Sequence, residues 1–318
     1  MKEICIFIPT CNRSDCIKYW LDSNKNSINN FCVDIFISDS SPNNETENVI
    51  KMFKDAYNKH LNYQHILNYP DKTTDLKVIK GLRDLQDKYS YIYLCGDGII
   101  VDIPSFLSLA SKYMNCKYDI IHFNKNLDVN EIIFHSGIDF AKKCGWYLTY
   151  YGVTLTSNKI IKRINFEDML NDYRNTGFLY WKGLMTGIAS EHEKIVSTNL
   201  FPLSINPKKK QNSSYQPGKF INFWVINWPK VVDSLPEYYN EIKPFLKKDI
   251  GKQLNLYSFN NLVELRRTGN LDKTIYKQIA PMIHLVTDVP LYKINTIAIL
   301  PLPILRAIRK IKNIVQKF

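Results

Sequence analysis

Asp97 stands between Gly96 and Gly98, directly after the uncharged run Tyr91-Ile92-Tyr93-Leu94-Cys95, and a second carboxylate, Asp102, follows shortly after. Glycines let backbone and ligand approach closely, and a hard carboxylate oxygen suits Mg²⁺ or Mn²⁺ carrying a diphosphate. An Asp between glycines equally suits a tight turn that binds nothing. Two other apolar runs end in polar loops. Ile4 to Pro9 gives way to Thr10-Cys11-Asn12-Arg13-Ser14, and Val33 to Ile37 gives way to Ser38-Asp39-Ser40-Ser41. Thr10, Asn12, Arg13, Asp39 and Asp97 are therefore candidate ligand-binding groups at successive loop starts. Asp39 also suits a helix cap or turn, and Arg13 a solvated loop charge.

What must position these residues is a sheet. The runs are largely apolar, Tyr91 to Cys95 without any charge, and suit buried strands. Between them, Cys16, Ile17, Trp20 and Leu21 share one face of a helix capped by Ser14 or Asp15 and running to about Leu21. Val49, Ile50, Phe53 and Tyr57 recur at helical spacing, Leu61 to Leu67 reads as a third strand, and Leu76, Ile79, Leu82 and Leu85 fill a helix opened by Asp71 to Asp75. This alternation, in units of roughly 30 residues, predicts an α/β fold with a mostly parallel, doubly wound sheet. Ligands of such sheets bind beyond the carboxyl ends of the strands, where the three loops converge. Beyond Pro104 a helix from Ser105 to about Met114 and a strand from Asp119 to Phe123 are expected, with His122 a strand residue rather than a ligand. The aromatic-rich stretch Asp139 to Tyr151 suits either sugar stacking or an ordinary core interface.

At 318 residues the chain is long for one domain, so a core domain with an extension is expected: residues 1–205, then a helical extension over 206–318. The net charge of +12 points to an anionic partner, and much of that charge lies late in the chain. It is not interleaved with aromatics along one element, and no RNA-binding motif occurs, so nucleic acid is not expected. The seven cysteines include no CxxC pair; Cys5, Cys32 and Cys95 sit in apolar runs as buried thiols of a reduced compartment. Met1-Lys2-Glu3 leads straight into a strand without a signal peptide, and the apolar run Ile294 to Leu305 is too short to span a bilayer. A cytoplasmic protein is expected.

The residues also resemble a known family. Ile6-Phe7-Ile8-Pro9-Thr10-Cys11-Asn12-Arg13 is similar to the opening strand of the family-2 glycosyltransferases, an apolar run followed by P-T-Y-N-R. Ile35-Phe36-Ile37-Ser38-Asp39-Ser40-Ser41 resembles their second strand, V-D-D-G-S, and Tyr91 to Gly98 resembles the strand carrying their D-x-D metal motif. The likeness covers about residues 1 to 125. It implies a GT-A (Rossmann-like) fold and inverting transfer from a nucleotide sugar, a UDP-sugar first among them, to a glycan or lipid-linked glycan in surface polysaccharide or glycoconjugate synthesis. It implies that Thr10 and Asp39 contact base and ribose, that Asp97 opens the metal motif for Mn²⁺ or Mg²⁺, and that Asp75 and Lys77 are a D-x-K variant facing the donor. Pro9, Asn12, Arg13 and Gly96, within the matched motifs, complete the implied donor-binding set. The sequence departs from the pattern at Ile99, where the second carboxylate of D-x-D is missing. Either Asp97 holds the metal with water and phosphate, or Asp102 helps, or the mechanism is metal-free. A degenerate transferase that only binds, scaffolding a membrane complex, is the alternative.

The proton acceptor and two surface features are sought in the second half. Glu191, His192 and Glu193 end an apolar helical pattern from Phe178 and are the candidate base, with Glu131 and Asp139 as outsiders. Asn206 to Lys219 is a basic, breaker-rich loop, a lid over the diphosphate or a linker. After Pro303, Ile304, Leu305, Ile308, Ile311 and Val315 fall at helical spacing with Arg306, Arg309, Lys310, Lys312 and Lys317 mostly opposite. Such a helix suits the anionic inner face of the cell membrane or, alternatively, packs on the protein core.

Overall fold

The apolar runs become strands whose loops open on one edge. In the computed structural model, which describes residues 2–31, 33–70, 73–209, 220 and 222–315, the chain divides into two compact units, Met1–Gln211 and Asn212–Phe318. Met1, Cys32, Asp71, Lys72, the basic loop from Lys210 to Lys219, and Lys317 lie outside the described residues.

In the first unit, β1 (Lys2–Thr10), β2 (Asp34–Asp39), β3 (Leu61–His65) and β4 (Tyr89–Leu94) are parallel, in the order β3-β2-β1-β4. The crossovers are α1 (Ser14–Phe31), α2 (Glu45–Tyr57) and α3 (Asp75–Leu85). Thr10 lies opposite Asp39, and the Cys95 N–H donates to Phe7 O at 2.8 Å, so the ends of the three strands stand side by side. Helix α1 runs well past the expected end at about Leu21, because Ile28 is fully buried and Asn24 Nδ2 donates back to Trp20 O. Packing outweighs the poor helix propensity of asparagine there.

After β5 (Ile99–Val101) and α4 (Ile103–Asn115), the sheet continues as β6 (Ile120–Phe123), β7 (Glu131–Phe134), β8 (Thr154–Ser157) and β9 (Ile195–Thr198). Its full order is β3-β2-β1-β4-β8-β6-β9-β7. Strand β8 is antiparallel to β4 and β6, and β7 to β9, while β6 and β9 are parallel. The strands β1 to β4, β6 and β9 thus share one direction, as the mostly parallel reading requires. Helices α5 (Gly137–Cys144), α6 (Asn158–Ile161), α7 (Phe166–Tyr173) and α8 (Leu179–Gly187) fill the connections, and β10 (Leu203–Ile205) pairs with β5. The unit extends past residue 205 because buried Asn206 donates through Nδ2 to Cys16 O and Asp97 O, each at 3.0 Å. Cys5, Cys16, Cys95 and Cys144 are buried.

The described part of the second unit is helical: a π-helix (Asn222–Asn227), then α9 (Trp228–Asp233), α10 (Lys243–Gln253), α11 (Phe259–Arg267), α12 (Lys273–Ile283), α13 (Leu291–Ile299) and α14 (Leu302–Val315). Helix α14 packs on α11 through fully buried Leu305, and Arg309 approaches Glu264 at 3.8 Å. Ile304 and Ile308 face away, 47% and 40% exposed; Ile311 and Val315 lie beyond the described side chains. Among the described residues no single helix is long and apolar enough to cross a membrane, and α13 with Leu302–Lys310 forms a pair bent by 118°.

His122 occupies the core of the first unit, as a strand residue. Most of the aromatic stretch surrounds it or packs nearby: Phe140 and Tyr147 meet its ring edge-on at 5.4 and 5.7 Å, and Ser197 Oγ lies 2.7 Å from Nδ1. Burial pushes its pKa down to about 3. The folded chain therefore keeps it neutral where the unfolded chain takes up a proton. That stability is present above about pH 6.5 and is lost as pH falls toward 3, by about 1.4 kcal/mol per pH unit at most. We expect His122→Gln to flatten the acid limb of a urea-denaturation series, and an unchanged limb would show that His122 is not the group responsible.

Candidate active site

The site begins with a close approach. A Cβ at Gly81 would stand 2.2 Å from Cζ of Phe7, so the Phe7 ring packs directly on the α3 backbone. Glycine inside a helix is destabilising by roughly 0.5–1 kcal/mol relative to alanine, and here it lets α3 dock on β1. Lys77, one turn earlier on the same helix face, is thereby buried at 1% exposure, with Nζ donating to Thr10 O and, at 2.7 Å, to Ser40 Oγ. Burial pushes its pKa down to about 8, against the pull of the Cys11, Asp39 and Asp97 charges. Lys77 ties the end of β1 to the loop after β2.

At the end of β1, Asn12 takes a left-handed conformation (φ 54°), which asparagine tolerates, and its N–H donates to Ser41 Oγ at 2.8 Å. That turn starts α1, with Cys16 and Ile17 N–H both donating to Arg13 O. It also sends Arg13 across to Asp97. Arg13 Nη1 donates to Asp97 Oδ1 at 2.6 Å, and Thr10 Oγ1 donates to Oδ2 at 2.8 Å. Asp97 is nearly buried, while Arg13 keeps 28% of its side chain exposed. Asp39 is fully buried and organises the next loop: its Oδ1 accepts from Ser41 N (2.9 Å) and Ser41 Oγ (2.5 Å), and its Oδ2 from Tyr63 OH (3.1 Å). Pro9, Thr10, Asn12, Arg13, Asp39, Lys77, Gly96 and Asp97 are thus brought to one carboxyl edge.

The remaining expected residues have other partners or positions. Asp75, at the head of α3 on this same edge, is buried and accepts from the N–H groups of Gly177 (2.7 Å) and Leu179 (3.3 Å), fastening the start of α8. Asp102 lies beyond β5 at the head of α4, where Ser105 Oγ donates to it at 2.5 Å, so it does not join Asp97. Glu191, His192 and Glu193 immediately precede β9 and therefore lie at the amino edge of the sheet, opposite Asp97. The parallel run of β4, β6 and β9 enforces this, since residues before one such strand cannot sit with residues after another. There Glu193 is buried, bonded to Arg163, to Lys159 at 3.1 Å and to Ser190 Oγ at 3.3 Å. Burial raises its pKa, but Arg163 and Lys159 outweigh that and hold it below the ordinary value, which makes a poor base. Asp139 also lies at that edge, in the first turn of α5, where Gly137 N–H meets Ser190 O.

A divalent metal would find one carboxylate here. Both Asp97 oxygens already accept from protein donors, and Ile99 occupies the second D-x-D position. No group of three or more His, Cys, Asp or Glu side chains able to hold a metal occurs among the described residues. The donor set thus offers a divalent ion Asp97 alone, each of whose oxygens keeps acceptor capacity beside its one hydrogen bond. Lys209 lies over Gly98, its Cδ 2.7 Å from where a Cβ would stand. The Cys16 thiol is pushed up by burial and Asp97 and pulled down by Arg13 and Lys209, so these charges act together at one place. Ser41 and Tyr63 also belong to the neighbourhood and are not distinguishable as site residues by type alone, whereas Asn206 and Lys209 open the basic stretch read as a lid over the diphosphate or a linker. The only sequence signal for Lys209 was the basic run Lys208-Lys209-Lys210 itself.

No protein-family model matches the sequence, and no curated protein matches it. Solved structures do match. TarS residues 1–349 from S. aureus, in complex with UDP-GlcNAc, aligns over 87% of this chain and 84% of that one, with a TM-score of 0.56 and 10% identity. Its complex with UDP aligns over 93% and 90%, with a TM-score of 0.55 and 9% identity. A longer TarS chain matches at a TM-score of 0.56 and 11% identity, and this chain spans 52% of it. The fold is that of the GT-A glycosyltransferases.

The bonds of Asp75 define its role experimentally. Asp75→Ala leaves two backbone donors unmet, and we expect a loss of roughly 1–3 kcal/mol in unfolding free energy with nucleotide affinity retained in the folded fraction. Weakened nucleotide binding at unchanged stability would return Asp75 to the donor site.

Proposed function

We propose that the first unit transfers a sugar from a nucleotide-sugar donor, a UDP-sugar, to a glycan or lipid-linked glycan acceptor with inversion, in surface polysaccharide or glycoconjugate synthesis. The observation that carries this reading is Asp97 joined to Thr10 and Arg13 at the carboxyl ends of β1 and β4, beside Asp39, on a GT-A fold. In a direct displacement the leaving diphosphate gains negative charge, and preorganised donors stabilise it. Arg13, Lys209 and the N-terminus of α1 lie together for this task. Mn²⁺ or Mg²⁺, implied by family resemblance, meets the single carboxylate Asp97, and the displacement is accounted for here without it. The acceptor's proton must leave on the carboxyl edge. Exposed Asp128, in the loop between β6 and β7, shares that edge and is our candidate base.

Calorimetry with UDP, GDP and CDP tests the donor site, and UDP is expected to bind most tightly. Asp97→Ala should abolish donor turnover, and Arg13→Ala, Lys209→Ala and Asp128→Asn should each lower kcat, by about 10²–10³ for a lost diphosphate donor. Donor hydrolysis should persist in EDTA. A folded protein that binds none of the three nucleotides overturns the donor reading and favours a non-catalytic scaffold. Turnover abolished by the chelator and restored by Mn²⁺ overturns the cation assignment alone.

The last two helices support attachment to the cytoplasmic face of an anionic membrane. Ile304 and Ile308 share one exposed stripe of α14, Leu291, Tyr292 and Ile299 are exposed on α13, and Arg306 and Lys310 are exposed nearby. Each basic residue near such a surface adds about 1 kcal/mol at best, screened by salt. Because Leu305 is buried, substitution is a cleaner test than truncation. Ile304→Ser with Ile308→Ser should abolish binding to phosphatidylserine vesicles without lowering the melting temperature. Wild-type protein that ignores those vesicles at low salt refutes attachment.

A further inference from the structure

Asp39, the residue expected to contact the base, is out of a ligand's reach. It is fully buried, and its two oxygens already accept from Ser41 and Tyr63. Thr10 is equally buried, and its hydroxyl is spent on Asp97. A nucleotide at this edge must meet another group where its base lies.

The next strand supplies one. His65 ends β3 directly opposite Asp39, so the two side chains leave the same face of the sheet. Ile66 N–H donates to Asp39 O at 2.8 Å, which holds that strand end in place. His65 Nε2 lies 2.8 Å from Ser41 O. A carbonyl only accepts, so Nε2 carries the hydrogen and Nδ1 of the neutral ring carries a lone pair. Among the described residues Nδ1 has no hydrogen-bond partner, and on this half-buried residue it is open to solvent. Glu47, close enough to feel the His65 charge, is bonded to Lys51 at 2.7 Å.

An imidazole held in one tautomer is a directional acceptor. Uracil presents a donor, N3–H, at the centre of its hydrogen-bonding edge. Cytosine presents a lone pair there, which would face the lone pair on Nδ1. The contact thus sorts uracil from cytosine, not pyrimidine from purine. Neighbouring strands lie about 4.8 Å apart, so His65 stands two spacings, about 10 Å, from the Thr10 end of β1. That separation suits a nucleoside diphosphate with its base at β3 and its phosphates at Arg13 and Lys209. We infer that His65 reads the base of the donor, Nδ1 accepting from uracil N3–H, and that His65 rather than Asp39 sets the preference for UDP over CDP.

This role for His65 rests on the nucleotide-sugar reading of the first unit, and the test tells the two apart. The full chain is titrated by calorimetry with UDP, CDP and 3-methyl-UDP, whose N3 carries no hydrogen. The wild type should bind UDP about tenfold or more tightly than either, the loss of one such hydrogen bond. His65→Ala and His65→Gln should weaken UDP to the level of CDP and leave CDP unchanged. Gln keeps a donor for Ser41 O without an acceptor in the place of Nδ1. That variant should therefore hold the wild-type melting temperature, and it carries the test should His65→Ala fail to fold. Wild-type protein that binds UDP and 3-methyl-UDP equally overturns the inference and leaves the donor reading standing. So do folded variants that keep the full preference for UDP over CDP. Protein that binds none of the three overturns the donor reading and this role of His65 with it.

Discussion

The Asp97 carboxylate, held between the Thr10 hydroxyl and the Arg13 guanidinium, is the contact on which the carboxyl edge depends. A nearly buried carboxylate is costly to keep unless its oxygens are paired, and both are. The two donors come from the end of β1 and the acceptor from the end of β4, so the ion pair fixes where one strand stops relative to the other. Lys77 adds a second tie, from α3 to Thr10 and the loop after β2. That tie exists because Gly81 lets Phe7 meet the α3 backbone, and a larger residue there would lift Lys77 away from its acceptors. The result is a cation-rich mouth, with Arg13 partly exposed and Lys209 over Gly98, that can meet an anionic leaving group without rebuilding itself.

Charges at the opposite edge have a different character. Glu193 is buried among Arg163, Lys159 and Ser190, and Asp119 shares Lys159 at 3.2 Å. Lys194 N–H also donates to Asp119 Oδ2, so these bonds join the entries of β6 and β9 to the exit of β8. The carboxylate of Glu193 is stabilised in its charged form, the reverse of what proton abstraction from a hydroxyl asks of a base. Ion pairs at the two edges therefore do different work: those at the amino edge are structural, while the pair at the carboxyl edge borders open space.

In the second unit the same physical rules leave deliberate exceptions. Most of its large apolar side chains are buried, among them Trp228, Tyr239, Leu262 and Leu305. Exceptions among the described residues include the outward isoleucines of α14 and the exposed residues of α13. Apolar surface of this kind in water marks a face for a partner of matching chemistry.

Local pattern was enough to place β1, β2, β4 and α2, α3, because apolar runs and helical spacing are short-range properties written into consecutive residues. It was also enough to put Thr10, Arg13, Asp39 and Asp97 at strand ends, since the turn residues follow the runs directly. Direction and pairing were beyond it. Nothing in the stretch Glu191-His192-Glu193 records that β9 runs parallel to β4, and only the assembled sheet puts those residues on the far edge. Asp75 and Lys77 are two residues apart on one helix, yet one turns to the backbone of α8 and the other to the end of β1. Residue types and spacing decided which groups could do chemistry. Tertiary structure decided which of them meet, because hydrogen bonds between residues some ninety to a hundred positions apart, Thr10 to Asp97 or Asp75 to Gly177, depend on packing that no local window contains.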